Sequence, residues 1–141
     1  MIQRIQSVWL LLAGSLGLLS LKFPFFSGHR INDAVPKPIV FVSGTYNILL
    51  IVFTTTVAIT SLFSIFLYKN RGLQLRAAIV ALLGSILNIG LYFWQKQAFV
   101  QEESSISITA LIAFFVPVLL TLAIRGIWKD EKLVKSADRL R

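Results

Sequence analysis

The chain has 141 residues, of which 56% are hydrophobic and 14% charged, and its formal net charge is +8. Soluble globular domains average about 25% charged, so the composition excludes an ordinary water-soluble domain and points to a membrane protein. It has no cysteine, which excludes disulfides and thiolate metal sites.

Residues 5–21, 38–68, 77–95 and 104–124 carry no charge. A bilayer-spanning helix takes roughly 20 mostly apolar residues. Three stretches meet that length, and Phe23, Pro24, Phe25 and Phe26 extend the first past Lys22. The predicted fold is all-α and polytopic, with four transmembrane helices over about 5–26, 46–68, 73–95 and 105–125. They form one transmembrane domain over residues 1–128, followed by a basic amphipathic tail over 129–141. These 141 residues leave no room for a second, soluble domain. No small-x-small cleavage site follows the first stretch, so it reads as a retained span.

In span 1, Trp9 lies near one end, and Lys22 sits in the last turn, where it can snorkel to the headgroups. The loop over 27–44 holds Ser27-Gly28, Asn32-Asp33, Pro36 and Pro38. These turn formers predict a connection without long regular structure. Within it, residues 39–42 read either as a short strand or as an interfacial apolar patch. Span 2 is anchored by Tyr46 and Tyr68 and is rich in hydroxyls: Thr54, Thr55, Thr56, Thr60, Ser61 and Ser64. Such residues let helices approach closely, so the hydroxyl face reads as packing, not as a pore. The short turn over 69–72 makes spans 2 and 3 antiparallel neighbours.

Span 3 has a small, polar face of Gly84, Ser85, Asn88 and Gly90, with Tyr92, Phe93 and Trp94 as an aromatic belt. Asn88 reads as an interhelical hydrogen bond to span 2, in preference to a substrate contact. Span 4 has Ser104 or Ser105 as its N-cap, and Pro117 in its interior predicts a kink. The segment 128–141 is a helix with Leu133, Val134, Ala137 and Leu140 on one face.

Basic residues set the orientation. Arg4, the loop residues Lys69, Arg71 and Arg76, and Arg125, Lys129, Lys132, Lys135, Arg139 and Arg141 make ten on one side. Lys22, Arg30, Lys37 and Lys96 make four on the other. The positive-inside rule then puts both termini in the cytoplasm.

No Asp, Glu, His, Lys or Arg lies in the middle of a span, which argues against proton relays and ion coupling. His29 is the sole histidine, and no glycine-rich phosphate loop occurs. The expectation is therefore no enzyme activity, no metal and no cofactor. A Ser–His dyad of His29 with Ser27 or Ser43 is a poor alternative to a solvated loop histidine.

The opening Met1-Ile2-Gln3-Arg4-Ile5-Gln6, the run Phe66-Leu67-Tyr68-Lys69-Asn70-Arg71 with Leu73-Gln74-Leu75-Arg76, and the ending from Lys129 to Arg141 are distinctive. They resemble an uncharacterised family of small four-span inner-membrane proteins of the Bacteroidetes. The resemblance runs the length of the chain and implies fold and location, but no activity. Gly72 and Ala77 stand where relatives are expected to carry a bulkier or polar residue.

The candidate docking surface is the basic face: Lys69, Arg71, Arg76, Lys129, Lys132, Lys135, Arg139 and Arg141, with Leu133, Ala137 and Leu140 as its apolar part. Part of that charge serves topology. The surplus and the apolar face suit an anionic leaflet, an acidic cytoplasmic protein or ribosomal RNA. Expected partners are membrane lipids and other inner-membrane subunits, with no small-molecule substrate. The function expected is that of an accessory or scaffold subunit. The alternative is a small oligomeric transporter or lipid-handling protein for neutral or amphipathic molecules.

Overall fold

The computed structural model describes residues 2–31, 38–100 and 104–138. Four helices and three short strands alternate: α1 Ile2–Leu19, β1 Pro24–Gly28, β2 Val40–Ser43, α2 Ile48–Phe66, α3 Arg71–Lys96, β3 Ser105–Ile106 and α4 Ala110–Asp138. A 3-10 turn, Leu67–Lys69, joins α2 to α3. Each helix packs on two others in a ring, α1 on α2, α2 on α3, α3 on α4 and α4 on α1.

Among the described residues three segments are long and apolar enough to cross a membrane: Ile48–Lys69, Arg71–Lys96 and Ala110–Val134. The apolar part of α1, Ile5–Leu19, is shorter. At about 1.5 Å per residue it rises about 22 Å, less than the roughly 30 Å hydrocarbon core.

The sequence boundary for span 1 needs correction. The helix ends at Leu19, not near residue 26. Ser20 to Phe23 form turns back onto Leu16, Leu18 and Leu19. Pro24 has no N–H to continue the helical ladder, and it opens β1, a position where a strand tolerates proline. Lys22 therefore lies in a turn between helix and strand. The protein is mostly helical, as expected, but it is not all-α, since β1 pairs antiparallel with β2 and β3 in the order β2-β1-β3. The 39–42 alternative resolves as a strand over Val40–Ser43. Residues 32–37 of that loop, including Asn32, Asp33 and Pro36, lie outside the described residues.

Span 4 also starts later than expected. Ser105 and Ile106 pair with Ser27 and Phe26, so their backbone belongs to the sheet, and neither Ser104 nor Ser105 caps the helix. The helix begins at Ala110 after a turn in which Ala110 N–H bonds to Ser107 C=O. The hydroxyl of Thr109 donates to the Pro24 carbonyl and ties this start to β1. From there α4 passes Pro117 and continues to Asp138 as one helix.

Side-chain size sets the packing of α1 on α2. A Cβ at Gly14 would lie 2.6 Å from Leu62 Cγ, and one at Gly17 3.2 Å from Ala58 Cβ. The two glycines remove the bulk that would hold the helices apart. Two apolar clusters result. One, around Leu10, Ala13, Ala78, Leu120 and Ile127, fills the half of the bundle away from the sheet. The other, around Phe25, Phe26, Val42, Tyr92 and Phe99, fills the sheet end. A register shift between Pro24 and Phe26 is what lets the adjacent Phe25 and Phe26 both turn inward. Phe25 stacks on Tyr92 at 4.4 Å between ring centroids, and Phe26 meets Phe99 edge-on at 5.1 Å.

Candidate functional site

The end of the bundle opposite the sheet is built from the α2–α3 connection and the last turns of α4. Lys69 closes the 3-10 turn and is exposed. Asn70 caps α3, its side-chain oxygen accepting from Leu73 N–H. That cap fixes the direction of Arg71, whose Nη1 donates to the Asp130 carbonyl of α4 at 3.2 Å. This bond joins the loop to the helix that carries the tail. Beneath it, Ser64 Oγ donates to Gln74 C=O at 3.2 Å and ties α2 to α3. Gln6, Gln74 and Asp130 are all buried at this end, where an apolar core would be the simpler solution. Gly126 accommodates Gln6, since a Cβ there would lie 2.8 Å from Gln6 Cγ.

Beyond Asp130, α4 has a split character. Ile127 and Asp130 face the bundle, while Arg125, Trp128, Lys129, Lys132, Leu133 and Ser136 line an open groove of about 580 Å3. Their spacing at three and four residues is one helical stripe. Trp128 is 61% exposed and Leu133 51% exposed. Cations therefore alternate with two large apolar side chains along one accessible face.

The structure brings Arg71 to α4 and leaves Lys69, Arg76, Lys129, Lys132 and Leu133 exposed around the same end. Lys135 and Ala137 lie on α4. Arg139, Leu140 and Arg141 lie outside the described residues. Sequence reasoning missed the Arg71–Asp130 link. Its signal was the periodicity: Ala123, Ile127 and Asp130 recur at four and three residues, so the acid falls on the buried stripe.

Asn88 is buried on α3, and its Nδ2 donates to Thr54 Oγ1 of α2 at 3.0 Å. Thr54, Ser61 and Ser64 are buried inside the bundle, whereas Thr55 returns its hydroxyl to the Ile51 carbonyl of its own helix. A second groove, apolar and about 280 Å3, runs along the outside of α2 and α3 between Phe53, Thr56, Thr60, Val80, Gly84 and Leu87. Among the described residues no group of three His, Asp or Glu side chains is placed to hold a metal. His29 Nδ1 sits 3.2 Å from the Pro38 carbonyl.

A family model matches residues 2–140. The chain belongs to DUF4293, a domain of unknown function. The DUF4293 match takes in the helices, the sheet and the basic end together, so the basic stretch of α4 belongs to the family unit and is no appendage to it. No curated protein and no solved structure matches the chain.

Proposed function

We propose that this DUF4293 protein is a non-enzymatic accessory or scaffold subunit of the inner membrane of a bacterium of the Bacteroidetes. In this reading all four helices cross the bilayer, and both termini face the cytoplasm. The short α1 reaches the far interface through the turn and strand that follow it, whose Phe25 and Phe26 backbone is shielded within protein. The orientation rests on the excess of basic residues at the α2–α3 turn and on α4.

The observation that carries the proposal is the unbroken run of α4 from its apolar part into a face of Arg125, Trp128, Lys129, Lys132 and Leu133. A topology signal needs charge alone. This face adds a large exposed aromatic and an exposed leucine at helical spacing, on a helix held to the bundle through Arg71. Its expected occupant is an acidic cytoplasmic protein or an anionic leaflet. The apolar groove on α2 and α3 suits the helix of a neighbouring membrane subunit.

The transporter or lipid-handling reading ranks second. It needs polar faces on α2 and α3 turned toward other copies, but Thr54, Ser61, Ser64, Ser85 and Asn88 are enclosed within a single bundle. Co-purification from native membranes in mild detergent, followed by mass spectrometry, tests the choice. A distinct protein that co-purifies at low salt and is lost at high salt supports docking through the basic face. An oligomer of this chain alone would replace the proposal with the transport reading.

A further inference from the structure

Toward the sheet end, the helices border a small cavity of about 10 Å3. Its polar lining is Ser20 from the turn after α1, Thr54 from α2, and Ser85 and Asn88 from α3, and Ala113 contributes from α4. Both serine hydroxyls, the Thr54 hydroxyl, which bonds Tyr92, and one of the two Asn88 N–H groups are already committed. Ser20 Oγ donates to Gly17 C=O at 2.7 Å, and Ser85 Oγ donates to Leu82 C=O at 2.7 Å. Asn88 Nδ2 donates to Thr54. What remains, besides the second Asn88 N–H, is acceptor capacity: the lone pairs of the two serine oxygens and Asn88 Oδ1, which is buried and has no partner. Exchanging the amide oxygen and nitrogen of Asn88 would still leave one polar end of it unmatched. Proline at 117 adds to the imbalance. It has no N–H, so the carbonyl of Ala113, four residues earlier, loses its helical donor beside the same cavity.

A buried amide oxygen without a donor inside an apolar bundle calls for a small partner that can donate to it. The available volume is about that of one water centre. A water supplies two donors and fits once, not twice. A monovalent cation would also seek oxygens, but no carboxylate lines the cavity to offset its charge. We propose that this cavity is a binding site for a single water molecule, which donates to Asn88 Oδ1 and to an acceptor on a second helix. The water completes the hydrogen bonding of α3 and bridges helices that are otherwise joined here by apolar contact and the Thr54–Asn88 bond. The proposal does not depend on which partner the protein serves.

The test uses the full chain in lipid. Magnetisation transfer from water protons to the Asn88 side-chain amide, read by solid-state NMR, should be present in the wild type. It should vanish in Ala113→Val, which fills the cavity and leaves Asn88 in place. A crystal structure grown in rubidium salt should hold one peak at hydrogen-bond distance from Asn88, without anomalous signal, and Asn88→Leu should lack the peak. Transfer to Asn88 from lipid protons alone, an anomalous rubidium peak at the site, or transfer that persists in Ala113→Val would each overturn the proposal.

Discussion

The two ends of the bundle are built on opposite principles. The sheet end is closed: Phe25 and Phe26 of β1 are buried against Tyr92 and Phe99, and β1 pairs with β2 along one edge and β3 along the other. The basic end is open: its buried residues include Gln6, Gln74 and Asp130, its Lys69, Arg76, Arg125, Lys129 and Lys132 are exposed, and α4 runs on with Trp128 and Leu133 uncovered. The sheet end also exposes aromatics, Phe41 and Trp94 among them. What sets the basic end apart is that its exposed Trp128 and Leu133 share one helical stripe with Arg125, Lys129 and Lys132.

The sharpest way to break this comparison is to truncate one aromatic at each end. Phe26→Ala should destabilise the protein by about 3–5 kcal/mol, the usual range for a fully buried phenylalanine. Trp128→Ala should change stability by about 0.5 kcal/mol or less, because its ring is largely exposed. Thermal or denaturant unfolding in one detergent checks both, and equal losses would remove the distinction between the ends.

A smaller effect is expected between them, where α1 meets α2. Gly14→Leu should destabilise by about 1–3 kcal/mol, since even its Cβ would collide with Leu62. Gly90→Ala makes the control, because nothing lies within 4 Å of a Cβ there. It should be neutral or stabilising by up to about 1 kcal/mol. The same unfolding measurement ranks the two.

Smaller still is the Asn88 bond. Asn88→Ala should cost about 1 kcal/mol, the scale of a side-chain hydrogen bond between membrane helices. Thr54→Val should cost a similar amount, and the double variant less than the two together, because one bond is lost in all three. Full additivity would mean that Asn88 and Thr54 stabilise the fold separately. At the basic end, Lys129→Gln with Lys132→Gln should leave stability within about 0.5 kcal/mol of the wild type. That pair should instead weaken binding to anionic vesicles and flatten its salt dependence.

The contrast between the ends was half legible in the sequence. Hydropathy reads α2, α3 and α4 because long apolar runs have one explanation in lipid. It cannot separate the Phe23-Pro24-Phe25-Phe26 cluster from the helix before it, since apolar content is the same in either state. The proline was the readable break, and residues 39–42 were readable as one possible strand, but no local pattern reveals the pairing of β1 with Ser105 and Ile106, far along the chain. Ser104 and Ser105 misled for a similar reason: a good capping residue is overridden when its backbone has a strand to join. Asn88 was readable as a polar group that needs a neighbour in a span. Its neighbour followed from the short α2–α3 turn, which places the hydroxyls of α2 alongside. The Arg71–Asp130 contact was not readable from charge, because the guanidinium bonds the backbone carbonyl and not the carboxylate.

Photo-crosslinking in native membranes tests most directly whether the open end is the docking end. A photoreactive residue replaces Leu133 on α4 in one strain and Phe41 on the sheet in another, both side chains being more than half exposed. A discrete protein adduct is expected from position 133, sensitive to salt and lost when Lys129 and Lys132 are neutralised, with no matching adduct from position 41. No protein adduct at 133, or the same partner captured equally from both positions, would contradict the assignment of docking to the basic end.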